Sequence, residues 1–402
     1  MGRRSSLLRR PEATRVILAV VAVGLAGLSL TATLANVLVN ANPVVAHSLA
    51  PWDGQSTAKL AKLEFALAPN SAVDSKQAKL ARRALRQDPT AVEALDLLAL
   101  QAQLRQDTGT TRVLFAQSLK LSRRELRPRL WAIEEAVARG DLETAMNNYD
   151  IALRTSDSAP AILFPILTSA LRERRIRDEL IRVLRKRPEW AGAFIDYATK
   201  SQAEPGGVAS LFNEAKSIEL PVSAEDQAAL VNGLIAKNLY TQAWSYYATF
   251  RPNVRRDTSR DEDFELDPKA GSVLDWSVSD YASIQSGKDR GVVEFSFPPT
   301  VGGLALQQME LLPPGNYFLE GESAGVDQPT QSRPYWEVRC RDGRVLGRVV
   351  IASPGAGRAK FEGAFAVPEG CPAQSVTLFI RPTDAIEGVS GRVERVRLAP
   401  AR

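Results

Sequence analysis

The chain of 402 residues contains one histidine, His47, and two cysteines, Cys340 and Cys371. The sole imidazole sits beside an apolar leader, far in sequence from any cleft-forming segment, so a Ser-His-Asp or Cys-His site has no evident base. Zinc sites built on several histidines or on four thiolates are excluded on the same inventory. The side chains with chemistry to offer lie in two short alternating segments. In YWEVRC, Trp336, Val338 and Cys340 share one side of a strand, while Tyr335, Glu337 and Arg339 share the other. In SVTLFIRP, Val376, Leu378 and Ile380 face inward, with Phe379 and Arg381 outward. A flat aromatic flanked by a carboxylate and a guanidinium suits stacking on a sugar ring and bonding its hydroxyls. Contact with a protein, or with solvent alone, uses the same side chains.

No other motif offers catalysis. Neither GxxxxGK[ST] nor a GxGxxG in a βαβ context occurs; VGLAG falls inside the leader and SPGAG in a turn. Asp261, Asp263, Glu265 and Asp267 alternate, and hard oxygens in that pattern suit calcium; a solvated acidic linker, with no cofactor, is the reading adopted. Pairs such as Glu134-Glu135 sit in ordinary helical charge patterns, although two acids joined by folding would make a glycoside hydrolase. The chain is read as a binding protein, not an enzyme. Its net charge of +5 comes without the dense basic runs of a nucleic-acid binder, so no nucleic-acid partner is expected.

The elements that must position these residues begin with the leader. Arg3, Arg4, Arg9, Arg10 and Arg15 precede an apolar run from Val16 to Val39, and no Asp, Glu, Lys or Arg occurs from Val16 to Trp52. That run spans a bilayer, for which about 20 residues suffice, and the arginines keep its N-terminus cytoplasmic. A cleaved signal peptide is the rival, since TLA at 33–35 and VVA at 44–46 obey the small-residue rule. Either way the body is exported. In an oxidising exterior the two cysteines are simplest as one disulfide, Cys340 to Cys371, with free buried thiols as the alternative.

From 58 to 252 the apolar residues fall at helical offsets. In GDLETAMNNYDIAL, Gly140-Asp141 makes a tight turn, Ala145 and Ala152 are small enough for two helices to approach, and Tyr149 fills the wedge beyond. The pattern returns with a period of about 33 residues: Ala84-Leu85 closing on Pro89, Phe115, Pro188 at another repeat end, then Ala243 and Tyr247. This resembles the tetratricopeptide repeat, and about five degenerate repeats are expected. The resemblance implies a helical solenoid whose groove holds partner proteins, here proteins of the cell envelope. Within it, LRERRIRDELIRVLRKR places Ile176, Leu180, Val183 and Leu184 on one stripe, leaving Arg174, Arg175, Arg182, Arg185 and Lys186 on an exposed face. That face is solvated, or it meets anionic lipid or an acidic polysaccharide.

After a linker at 253–262 the pattern becomes short alternating segments: GVVEFSF, NYFLEGES, YWEVRC, VLGRVVI, KFEGAFAV, SVTLFIRP and RVERVRL. About eight strands cut by turns indicate an antiparallel β-sandwich over 263–402. Phe264, Glu265, Asp275 and Trp276 near its start, and GRVERVRLAP at its end, resemble the jelly-roll sandwiches of carbohydrate-binding modules. The expected organisation is therefore a basic tail (1–15), a transmembrane helix (16–39), a juxtamembrane linker (40–57), a helical repeat domain and a separate jelly roll. The pairing is similar to accessory proteins of bacterial exopolysaccharide or capsule production. It implies a single-pass inner-membrane protein with a periplasmic body whose partners are envelope proteins and polysaccharide. A purely protein-binding scaffold and a module fused to a cryptic hydrolase are the alternatives.

Overall fold

Short oxygen-bearing side chains start the helices. Asp53, Ser75, Asp107, Asp141 and Ser223 each accept a hydrogen bond from the backbone N–H three residues on, satisfying a donor that has no partner inside the helix. At Ser223 the cap is reciprocal, because Asp226 accepts from the Ser223 N–H in return. A computed structural model describes residues 11–251, 253–266, 271–285, 291–353 and 357–401, with side chains from Arg15 onward. The arginines at 3, 4, 9 and 10, and Asp267, lie outside the described residues.

The chain divides into two compact units, Met1–Ala159 and Pro160–Arg402. In the first, α1 (Pro11–Leu38) is followed by α2 (Pro43–Leu49), α3 (Gly54–Leu67), α4 (Lys76–Gln87), α5 (Val92–Leu104), α6 (Thr108–Leu121), α7 (Leu126–Ala138) and α8 (Leu142–Thr155). Within α1, Arg15–Leu38 is 24 residues with a mean hydropathy of 2.3, long and apolar enough to cross a membrane. The segment 40–57, expected as a linker, holds α2 and the start of α3. Consecutive helices then pack in pairs, α3 on α4, α5 on α6 and α7 on α8. Alanine makes this close packing feasible: Ala58, Ala61, Ala81, Ala84, Ala91 and Ala94 are all buried around Leu97. Gly140 takes φ +72°, a left-handed turn that a side chain would strain, and hands over to the Asp141 cap. Ala145, Tyr149 and Ala152 are buried as expected, and Phe115 lies 5.6 Å from Trp131 between ring centroids.

Across the boundary come α9 (Ala159–Ala170), α10 (Arg174–Leu184), α11 (Ala191–Lys200), α12 (Pro205–Glu214), α13 (Ala224–Ala236) and α14 (Tyr240–Phe250). The remainder of the second unit is β1 (Ser277–Val278), β2 (Ala282–Gln285), β3 (Val292–Phe297), β4 (Gly303–Glu310), β5 (Gly315–Ala324), β6 (Tyr335–Cys340), β7 (Val345–Val350), β8 (Arg358–Val367), β9 (Gln374–Ile380) and β10 (Val389–Pro400). They form two antiparallel five-stranded sheets, ordered β1-β4-β9-β6-β7 and β2-β3-β10-β5-β8. From β3 onward each strand crosses to the other sheet except at the β6-β7 hairpin, which stays within one sheet, in a jelly-roll order. Inward residues of both sheets meet in one core, with Trp336 fully buried against Trp276 and Phe361. Cys340 and Cys371 are joined in a disulfide, which ties the end of β6 to the loop before β9.

The last helical hairpin is sealed onto the sandwich. Tyr247 donates its hydroxyl proton to Asp275 at 2.7 Å, Asn232 accepts from the Val273 N–H at 2.8 Å, and Arg341 donates to the Ile235 carbonyl at 3.1 Å. Arg260, in the segment read as a linker, has a fully buried side chain that pairs with Glu310 of β4.

Candidate functional site

The structure brings together the five residues singled out on the outer face of the β6 sheet, and it occupies them with one another. Tyr335 and Phe379 are register partners across β6 and β9, their rings stacked at 5.7 Å. The guanidinium of Arg381 lies 4.7 Å from the centre of the Tyr335 ring and that of Arg348 lies 5.4 Å from it, a cation–π arrangement. Glu337, expected to face a ligand, is instead only 1% exposed. Its Oε1 accepts from Arg339 at 2.8 Å and its Oε2 from Arg348 at 2.7 Å. Burial pushes its carboxyl pKa up, but Arg348 and Arg339 outweigh that and hold it below the usual carboxylate range. Alternation put Glu337 on the right face; it could not show that two arginines from neighbouring positions close over it.

The basic face on α10 is as expected: Arg174, Arg175, Arg182, Arg185 and Lys186 are all exposed, Arg182 bonding Glu179 one turn away. Arg177 behaves differently. It is buried, donates to both carboxylate oxygens of Glu214 at 2.8 Å and caps the carbonyls of Leu171 and Arg172, fixing α10 to α12.

Of the alternating acids, Asp261 is not solvated, whereas Glu265 is exposed. Asp261 is buried, and its carboxylate accepts from the N–H groups of Glu265 at 2.8 Å and Leu266 at 3.3 Å, closing a turn. Its backbone carbonyl accepts from Trp276 Nε1 at 2.8 Å. Among the described residues no three acidic, histidine or cysteine side chains are placed to hold a metal ion.

A different surface has free polar chemistry. On the outer face of the other sheet, a groove of about 710 Å³ is lined by Asp280, Tyr281, Ser283, Glu294, Ser296, Ser390 and Arg392, with Gly325 and Gly391 at its floor. Strand register builds it. Ser283 is opposite Glu294, Glu294 opposite Arg392, and Ser296 opposite Ser390, so the polar side chains stand side by side in rungs across β2, β3 and β10. Tyr281 is 44% exposed, and its ring packs 4.8 Å from the core residue Phe297, which anchors an aromatic surface at the groove's edge. Gln285 donates to Glu294 at 3.0 Å. The Glu394 carboxylate, nearly buried, holds Arg392 at 3.0 Å and Arg358 at 2.9 Å. One carboxylate thus orients Arg392 while a guanidinium has N–H groups to spare. Gly391 is required here: a Cβ would stand 2.7 Å from Val326 and 2.8 Å from Phe295.

Such a groove offers hydroxyl donors and acceptors, two carboxylates, one fixed guanidinium and one aromatic, in a volume typical of small-ligand sites. It suits a chain of hydroxyls better than a strongly charged ligand. None of its residues stood out in sequence. Tyr281, Ser283 and Gln285 alternate with inward Ala282 and Ile284, but the strand is too short to read alone, and Arg392 is more than a hundred positions away.

No protein-family model matches the chain, and no curated protein matches it. Solved structures do. The chain is similar to TmCBM61, solved in complex with beta-1,4-galactotriose, at 16% identity over 37% of this chain and 100% of that one, with a TM-score of 0.27. It is similar to a CBM4 structure at 14% identity over 35% and 98%, TM-score 0.27. It is also similar to a chain of the accessory secretory protein 1, 2 and 3 structure from Streptococcus pneumoniae, at 12% identity over 37% and 99%, TM-score 0.24. What the groove can hold follows from its own residues.

Proposed function

We propose that this protein is a membrane-anchored, non-catalytic carbohydrate-holding scaffold of the bacterial envelope, acting as an accessory factor in the assembly and export of an exopolysaccharide or capsule. The observation that carries the reading is the groove on the β2-β3-β10 face, where Tyr281, Ser283, Glu294, Ser296, Ser390 and Arg392 converge. Its mixture of aromatic surface and neutral hydrogen-bonding groups matches the alternating apolar faces and hydroxyl edges of sugar rings. The paired helices of the first unit, read as tetratricopeptide-like repeats, hold envelope proteins, so that the chain links polymer to machinery. The apolar helix α1 and the disulfide support an anchor with the body in the periplasm.

Binding of the full-length protein in detergent to a panel of immobilised bacterial polysaccharides tests the proposal. Saturable retention by a hydroxyl-rich polymer is expected. No retention by any polymer, at protein concentrations up to the millimolar range typical of weak sites, would remove the carbohydrate part of the reading.

A further inference from the structure

α1 is longer than the membrane needs. Its apolar portion of 24 residues rises about 36 Å at 1.5 Å per residue, against a hydrocarbon thickness of about 30 Å. About one turn is left over. At the C-terminal end of α1 that surplus has a partner in the protein itself: Ala35 is buried against Ala46 and Ala50, with Leu38, Val39 and Leu49 packed around them. The helix α2 therefore folds back on the last turn of α1, through a turn in which Asn42 N–H donates to the Leu38 carbonyl at 2.7 Å and Asn42 Oδ1 accepts from the Val45 N–H at 3.1 Å.

The elbow also leaves apolar side chains uncovered. Val44 and Val45 are exposed, and Trp52, in the turn before α3, is 52% exposed. No Asp, Glu, Lys or Arg lies between Val16 and Trp52; the charge nearest Trp52 from another element is Arg83, which donates to the Pro51 carbonyl at 3.0 Å and as a cation suits the headgroup level. His47, the one titratable side chain, is turned to the protein side, where its Nδ1 lies 3.1 Å from the Thr57 hydroxyl oxygen; the first charge, Asp53, is committed to capping α3.

We infer that the elbow of α2 and Trp52 is an interfacial seat: Val44, Val45 and Trp52 rest in the headgroup–acyl boundary of the bilayer that α1 crosses. The occupant is lipid because α1 delivers the elbow to the membrane surface within a few residues, and because an apolar, uncharged patch carrying tryptophan is the composition that boundary favours. The seat fixes how α3 and the helices beyond it leave the membrane. It also makes the leader part of the folded first unit, since removal of residues up to Ala35 would take away a buried partner of α2, and removal up to Ala46 would cut α2 itself. This rests on α1 being a membrane span.

The full-length protein reconstituted into phosphatidylcholine vesicles, with bromine on the acyl chains near the headgroup, tests it by tryptophan quenching. The chain has six tryptophans, and Trp52 alone adjoins α1. Roughly a sixth of the emission is expected to be quenched, the quenching to vanish in Trp52→Phe and to persist in Trp131→Phe. Equal quenching of the unsubstituted protein and Trp52→Phe, or no quenching while the protein stays with the vesicles through an alkaline carbonate wash, overturns the seat and leaves the anchor standing. Release of the protein by that wash overturns both.

Discussion

Arg260 and Glu310 form an ion pair from which solvent is excluded, their side chains 0% and 2% exposed. The pair survives burial because the guanidinium has further partners: it donates to the carbonyls of Leu274 at 2.7 Å and Met309 at 2.6 Å and lies 6.0 Å from the Trp244 ring and 5.8 Å from the Tyr247 ring. Helix α14, the segment after it and strand β4 are thereby joined at one point.

Removing one charge of this pair leaves the other buried and uncompensated. Glu310→Ala is expected to destabilise the second unit by about 3 to 5 kcal/mol, and the double replacement Arg260→Met with Glu310→Leu by much less. Thermal unfolding of the full-length protein, as a double-mutant cycle, measures the difference. Additive losses from the two single substitutions would mean that the pair is not coupled.

Asp96 gives the first unit a pH dependence. Burial pushes its carboxyl pKa up to about 6, although the Ser118 hydroxyl donates to it at 2.6 Å. The folded value lies above the unfolded value of about 3.9. The contribution of the protonated form is therefore fully present below about pH 3.9 and is lost as pH rises through about 6. The gap between the folded and unfolded values corresponds to about 3 kcal/mol. Asp96→Asn, which keeps an acceptor for Ser118, is expected to gain stability over the unsubstituted protein progressively between about pH 4 and pH 6.5 and to hold a constant advantage above that. A stability difference that does not change with pH would show that Asp96 does not titrate in that range.

The disulfide closes a loop with a sequence separation of 31. By loop-closure entropy it contributes about 3 to 4 kcal/mol. Reductant should lower the unfolding temperature of the sandwich, and the double variant Cys340→Ser, Cys371→Ser should start lower and ignore reductant. Equal unfolding temperatures with and without reductant would place the stabilisation elsewhere.

Local pattern revealed a good part of this architecture. The apolar leader, the alanine-and-tyrosine spacing that buries Ala145 and Tyr149, the two cysteines and seven of the strands were readable because each signal is carried by neighbouring residues. Strand β4 was not, since GLALQQME places Gln308 and Glu310 at buried positions and so breaks the alternation; Glu310 is tolerated there only because Arg260 meets it from fifty positions earlier. The segment around Arg260 reads by composition as a linker for the same reason. The groove was hidden by distance of another kind, as Tyr281, Glu294 and Arg392 are joined only by strand pairing. On the opposite face Tyr335 and Arg381 were visible, but Arg348 and the placement of both guanidiniums over the Tyr335 ring were not.

The central claim is that the sandwich holds sugar polymer in the groove of Tyr281 and Arg392 rather than on the Tyr335 face. Titration calorimetry of the full-length protein against the polymer it retains best, run beside Tyr281→Ala, Arg392→Ala and Tyr335→Ala, tests this most directly. Loss of an aromatic contact or a charge-assisted hydrogen bond at about 1.4 kcal/mol or more lowers affinity at least tenfold, and this is expected for the two groove variants, with Tyr335→Ala within about twofold of the unsubstituted protein. Unchanged binding by both groove variants, with binding lost in Tyr335→Ala, would contradict the account.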